Sequence, residues 1–219
     1  MINLHTHHDS GQPGVVEIVN RYPDETVDGL RCFSTGLHPW YLDTMPLHDA
    51  LAIIETRLKL TGCVAVGECG LDKRIERPLA DQQPAFEQQL ELAQAYGKPV
   101  ILHCVGAYQE MIETRKRLRI TVPMIIHGFS KNQQVAKSLL DNGFYLSFGK
   151  YLLQNPGLAE VLKEVPRDRL FLETDTITDG IEAVYHRAAA ILQTDVTALE
   201  AQINQNFAAV FGPHLLANS

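Results

Sequence analysis

Short apolar runs recur along the chain at residues 2–5, 15–19, 30–37, 63–66, 100–102, 122–126, 144–148 and 170–172. Several are continuous rather than alternating, the pattern of strands covered on both faces, as parallel strands are. Most are followed by a helical pattern. Asp81 is expected to cap a helix with Pro84 in its first turn, an apolar stripe of Phe86, Leu90 and Ala93, and a stop at Gly97 before Pro99. Asp195 is expected to cap a last helix with the stripe Leu199, Ile203, Phe207 and Val210, stopped by Gly212 and Pro213. Other helices are expected near residues 47–60, 108–118, 132–141, 156–164 and 182–192. Strand–helix alternation with eight strands predicts an α/β fold, a (β/α)8 barrel of the TIM type. Only residues 7–14 join the first two strands, too few for a helical crossover, so the barrel is expected to be distorted or hairpin-like there. No linker, repeat or composition break appears, so residues 1–219 are expected to form a single domain.

Composition narrows the function. Hydrophobic residues make up 45% and charged residues 21% of the 219, which excludes wholesale disorder and coiled coil. No run of about 18 apolar residues predicts a membrane span, and residues 1–5 lack the basic and apolar regions of a signal peptide. Cys32, Cys63, Cys69 and Cys104 form no CxxC pair and sit in apolar runs, as reduced thiols of a cytoplasmic protein do. The net charge of −7, from 19 basic and 26 acidic residues, argues against a broad polyanion-binding surface, while a local basic patch stays open.

The chemistry lies at the strand ends. His5 and His7 close the first run, His38 follows the third, Glu68 ends the fourth, His103 the fifth and His127 the sixth, and Asp175 follows the eighth. In a barrel these ends meet at the mouth that carries active sites. A lone HxH is more often chance than ligation, but here five of the nine histidines collect at equivalent positions. Imidazoles with carboxylates suit zinc, manganese, iron or cobalt. A carboxylate able to bridge suggests two ions, which lower the pKa of a shared water and stabilise developing charge. A carboxylate at the mouth then takes the water's proton.

In these residues the chain resembles the TatD-related metal-dependent hydrolases, a branch of the amidohydrolase-like barrels, nearly from end to end and in family order. His5-Thr6-His7 with Asp9, Gly36-Leu37-His38-Pro39, and the run from Val66 to Asp72 with its GExGLD pattern carry the first half. The strand from Lys98 to His103, His127-Gly128-Phe129-Ser130, Leu172-Glu173-Thr174-Asp175, and Asn206 with Phe211-Gly212 carry the second. The resemblance implies that His5, His7, Glu68 and Asp175 hold one divalent ion and that Glu68, His103 and His127 hold the other, Glu68 bridging. It implies Asp175 as general base, His38 as a contact to the substrate's phosphate or leaving group, and phosphodiester hydrolysis, often as a deoxyribonuclease, with two zinc, manganese or magnesium ions. The chain departs from the family at Val105, where an arginine is usual, at Lys73-Arg74, Lys131 and Ile177, and in its short segment between Asp175 and Asn206.

Individual residues carry competing readings. Asp72 either faces the site or, as is commoner for such a residue, fixes the loop after Gly70. Gly67 and Gly70 suit a bulge or a close backbone approach. Glu173, two residues before Asp175, points toward the barrel as a supporting group, and Cys69 and Cys104 turn away from it and pack. Lys73, Arg74 and Arg77 either hold a phosphate or belong to a solvated loop, and the basic run 115–119 is a solvated helix face. Trp40 and Tyr41 either stack on a base, cover the cavity or pack under a loop. Two divalent ions beside the charges of Glu68 and Asp175 would leave the site about +2, enough to draw a small anionic substrate. The expectation is thus a hydrolase of phosphodiesters in nucleotides or short single-stranded DNA, with no membrane and no obligate protein partner. The alternatives are an amidohydrolase-type enzyme on an amide or lactone and a metal-binding protein without turnover.

Overall fold

The structure, a computed structural model, describes residues 1–177 and 180–216. Eight strands form one sheet in the order of the chain, β1 (Ile2–Thr6), β2 (Val16–Arg21), β3 (Phe33–Thr35), β4 (Cys63–Asp72), β5 (Val100–Val105), β6 (Met124–Ile126), β7 (Tyr145–Phe148) and β8 (Leu170–Leu172). The helices are α1 (Leu47–Leu58), α2 (Leu79–Tyr96), α3 (Tyr108–Arg117), α4 (Gln133–Asp141), α5 (Lys150–Gln154), α6 (Leu158–Glu164), α7 (Ile181–Leu192) and α8 (Val196–Phe211). Parallel strands in chain order with helices between them are the topology of the (β/α)8 class. The chain divides into two compact units, residues 1–18 with the chain from Ile125 onward, and Val19–Met124.

In the first unit β8 meets β1: Asp175 N donates to His5 O at 2.9 Å and His7 N donates to Asp175 O at 3.2 Å. Asn3 reinforces this seam, its Nδ2 donating to Thr174 Oγ1 at 2.8 Å while its Oδ1 accepts from Thr174 N at 3.0 Å. The join between β1 and β2 carries no helix, as its length predicts. It is not a hairpin, however: Val16 N donates to Met1 O, so the start of β2 lies beside the start of β1 and the two run parallel. α7 docks on β1 through the buried Tyr185, whose hydroxyl accepts from Ile2 N and donates to Ile2 O. α8 begins where Asp195 accepts from Ala198 N and buries Leu199, Ile203 and Phe207 as its periodicity predicts. The buried Asn206 donates to Arg167 O and Leu170 O, tying α8 to the start of β8.

In the second unit β4 is longer than its apolar run, continuing through Glu68 to Asp72 with every residue buried. The register shifts between Val66 and Cys69, where three steps along β4 match two along β5. This is a bulge, and it holds Gly67 and Glu68. Gly67 has φ 143°, and a Cβ there would meet Ile101 O at 2.5 Å, so only glycine lets β4 and β5 approach. α2 begins at Leu79, two residues before the expected cap; Pro78 breaks the preceding backbone, and Asp81 sits in the first turn, where its charge favours the helix N-terminus. Gly97 ends α2 in the left-handed conformation, φ 63°.

Candidate functional site

The first unit brings together His5, His127 and Asp175, each offering a ligand atom within 4.8 Å of the others. His5 and His7 alternate on and just past β1, and Asp175 is set beside them by the backbone bonds that join β8 to β1. His5 Nε2 lies 3.9 Å and His7 Nε2 3.6 Å from Asp175 Oδ1. The rings of His5 and His127 are 4.3 Å apart, those of His5 and His7 5.1 Å apart. Bonds of about 2.0–2.2 Å to one ion place neighbouring donors roughly 3–4 Å apart, so this donor set fits a divalent cation. His127 supports the fit: its Nδ1 is held by Glu173 Oε1 at 3.1 Å, which makes Nε2 the nitrogen able to ligate. His127 therefore groups with His5 and Asp175.

Asp175 has φ 57°, a left-handed conformation that aspartate tolerates better than most residues. Burial pushes its carboxyl up, but His127, His5 and Lys150 together outweigh that and hold it below the usual carboxylate range. Lys150, the first residue of α5 directly after β7 and Gly149, donates to Asp175 Oδ2 at 2.7 Å. Sequence reasoning missed this lysine; a cation directly after the seventh strand was the available signal.

The second unit gathers His38, Glu68 and His103. The Glu68 backbone N–H, inside the bulge, is bound by Asn20 Oδ1, and its Oε2 accepts from the Tyr22 hydroxyl at 3.1 Å. Burial first, and then the Glu68 charge, pushes the Tyr22 phenol well above its usual range, so it stays a donor. His103 Nδ1 lies 3.1 Å from Glu68 Oε1, and its Nε2 lies 3.0 Å from Asp72 Oδ2. Asp72 thus fills both of the roles set against each other above, since its Oδ1 also accepts from Arg74 N at 2.8 Å. Its carboxyl is pushed up by burial and pulled down more strongly by His103, Arg74 N and Trp40.

His38 differs from the other histidines. Its Nδ1 accepts the Trp40 N–H at 3.1 Å, so the neutral ring carries its proton on Nε2, which lies 3.3 Å from Glu68 Oε1. Ligation through Nε2 would move that proton to Nδ1 and break the bond from Trp40 N. His38 fits contact with a substrate oxygen, not a metal.

Two buried glutamines of α2, seven residues apart and so on one face of the helix, clamp the backbone of this group. Gln82 accepts from Asp72 N and donates to Asp72 O, both at 2.8 Å. Gln89 accepts from Leu37 N at 2.7 Å and donates to Leu37 O at 3.1 Å. Neither was identified from the sequence, because a buried glutamine interrupts an apolar stripe without announcing its partner. Of the cations after β4, Lys73 is exposed and pairs with Glu110 at 2.5 Å, Arg77 pairs with Asp43, and the Arg74 side chain is exposed. The basic residues on α3 include Arg117, which pairs with Glu87. Cys69 and Cys104 are buried, and burial pushes the Cys104 thiol up to about 12, which fits packing rather than reactivity.

Residues 1–212 match the family described as TatD related DNase. The chain is 33% identical over 174 residues to a 3'-5' ssDNA/RNA exonuclease TatD of Edwardsiella piscicida, covering 73% of this chain and 61% of that protein. It is 32% identical over 154 residues to an uncharacterized metal-dependent hydrolase of Haemophilus influenzae, covering 66% of this chain and 58% of that one. The chain thus spans about three fifths of the length of these relatives. Its fold is shared with the crystal structure of a TatD homolog, YjjV, from Escherichia coli K12, at a TM-score of 0.83 and 24% identity, covering 96% of this chain and 97% of that one. A phosphotriesterase homology protein of Escherichia coli, complexed with phosphate in its active site, is similar in fold at a TM-score of 0.61 and 16% identity, over 90% and 83% of the two chains. No helix among the described residues is long and apolar enough to cross a membrane.

Proposed function

The chain belongs to the TatD-related DNase family, and on that premise we propose that it is a divalent-metal-dependent hydrolase of phosphodiester bonds, acting on nucleotides or short single-stranded DNA. The observation that carries this reading is the His5, His127 and Asp175 group, with His127 Nδ1 held by Glu173 so that Nε2 is the ligating nitrogen. His5, His7, His127 and Asp175 would hold one ion, and Glu68 with His103 would hold a second. Zinc or manganese suits such mixed imidazole and carboxylate sets, and the family resemblance adds magnesium. Cations bound there make water a better acid and offset charge on the phosphoryl oxygens. Asp175, kept ionised by its neighbours, accepts the proton that the attacking water loses. His38 donates from Nε2 to a phosphate or leaving-group oxygen. Lys73 and Arg74 lie after β4; with Lys73 paired to Glu110, Arg74 is the one of the two that attracts the anionic substrate at longer range.

The whole chain, residues 1–219, works as one hydrolase domain in this reading and needs no obligate protein partner. The cytoplasm is its place of action, because its four cysteines are free and buried. The test is direct. Purified protein is assayed for bound metal and for hydrolysis of a labelled single strand, a chromogenic phosphodiester, an amide and a lactone. Phosphodiester turnover that chelation abolishes and zinc, manganese or magnesium restores is expected. Turnover indifferent to chelation, or amide or lactone turnover with no phosphodiester cleavage, overturns the proposal. Turnover that persists in Asp175→Asn with metal retained removes Asp175 as the base.

A further inference from the structure

We propose that Trp40 is a fixed stacking platform for a nucleobase of the bound strand, beside His38 and His103. The proposal rests on the phosphodiesterase reading above and deepens it.

Trp40 is the one tryptophan in the chain. It is 58% exposed, more than any other large hydrophobic side chain among the described residues. Exposure of this kind usually accompanies a loosely held side chain, but this ring is anchored. Its Nε1–H donates to Asp72 Oδ2 at 2.9 Å, and Asp72 is buried. The same oxygen lies 3.0 Å from His103 Nε2. The indole stands nearly perpendicular to the His38 ring, 5.0 Å away at 84°, and to the His103 ring, 5.8 Å away at 72°. Its backbone belongs to a short 3-10 turn, Pro39–Tyr41, closed by Tyr41 N donating to His38 O at 2.9 Å. The polar edge is thus bound inward, beside the imidazoles, and apolar ring surface remains in water. Tyr41, 37% exposed, extends the aromatic surface and packs at 4.9 Å on the Tyr22 ring.

The electrostatics favour a base as the occupant. A strand held through its phosphates needs several uncommitted cations. Here the net charge is −7, Lys73 is paired with Glu110, and Arg77 is paired with Asp43. Stacking on an aromatic face supplies affinity without cations, tolerates any sequence, and selects bases that are not already stacked in a duplex. One sugar separates a base from its phosphate, so a base on Trp40 leaves that phosphate beside His38 and His103. The anchored indole edge makes this face a preformed surface, with little side-chain ordering left to lose on binding.

Because Trp40 is the sole tryptophan, its emission reports the event directly. Metal-loaded protein is titrated with a short oligothymidylate carrying hydrolysis-resistant phosphorothioate linkages, and with an abasic strand of the same length and linkage at the same salt. The base-bearing strand is expected to change the emission and to bind at least about fivefold tighter than the abasic one. Trp40→Phe should keep most of that preference, and Trp40→Leu should lose it. Both variants lack the bond to Asp72, so a preference lost equally in both would assign the effect to Asp72 and overturn the platform. Equal binding of the two strands, binding of neither, a preference that survives in Trp40→Leu, or a preference without an emission change also overturns it. Hydrolysis of a base-free phosphodiester separates the two levels. Failure on an unmodified base-bearing strand as well sinks the phosphodiesterase reading, whereas cleavage of both with no base preference sinks the platform alone.

Discussion

His127 and Glu173 meet at 3.1 Å through Nδ1 and Oε1, and the same carboxylate oxygen accepts the Gly128 N–H at 2.8 Å. One fully buried carboxylate therefore sets both the ring of a candidate ligand and the backbone that follows it. Partners of this kind fix the tautomer and orientation of a ligating imidazole. Glu173→Gln is expected to weaken zinc binding roughly 10- to 100-fold, measured by calorimetric titration of chelator-treated protein. An unchanged affinity would show that His127 needs no such support.

The His38 tautomer predicts a different outcome for that residue. With Nδ1 occupied by the Trp40 N–H, His38 is a donor. His38→Ala should keep its full complement of metal and lose kcat/KM by about 10- to 100-fold, the worth of a hydrogen bond to a charged group. Elemental analysis beside steady-state kinetics checks both halves. Metal lost along with activity would make His38 a ligand after all.

Gly70 has φ 151°, and a Cβ there would meet His103 O at 1.9 Å. That oxygen belongs to β5 backbone and has no soft direction in which to yield. Gly70→Ala is expected to cost at least about 3 kcal/mol, a fall in Tm of roughly 6–12 °C for a domain of this size. Thermal unfolding followed by circular dichroism measures it, and a Tm within a degree of the parent contradicts the close approach.

Burial raises every cysteine thiol above its usual 9.0, Cys63 to about 11 and Cys32 and Cys104 to about 12. The sign follows from proton counting. Between the unfolded and folded values the unfolded chain has lost thiol protons that the native chain still holds. Stability is therefore present below about pH 9 and declines as pH rises from about 9 to 12. Urea midpoints across that interval should fall steadily. At neutral pH the native thiols should resist a thiol-specific chromogenic reagent that reacts with all four on unfolding.

Most of the fold was legible because each strand is a local consequence of burial on both faces. The eight apolar runs mark all eight strands, and Asp195 and Gly97 behave as the cap and stop their residue types suggest. The misplaced features have local causes too. β4 runs on through a charged residue that a bulge carries, α5 is little more than one turn, and Pro78 moves the start of α2 ahead of Asp81. The candidate donors were legible as residue types at strand ends. Their supports were not. Asn3 acts on Thr174 across 171 positions and Gln89 on Leu37 across 52. No periodicity within a window of sequence registers a hydrogen bond between residues so far apart.

The amino-acid pattern alone determined the alternation of strand and helix and the stock of imidazoles and carboxylates, since periodic burial and residue chemistry are local properties. Tertiary structure decided which of those groups meet. The bonds joining β8 to β1 put Asp175 beside His5 and His7, Glu173 aims His127 at them, and a single backbone N–H makes His38 a donor. Those outcomes depend on strand register and on contacts between distant segments, which exist only once the chain has folded.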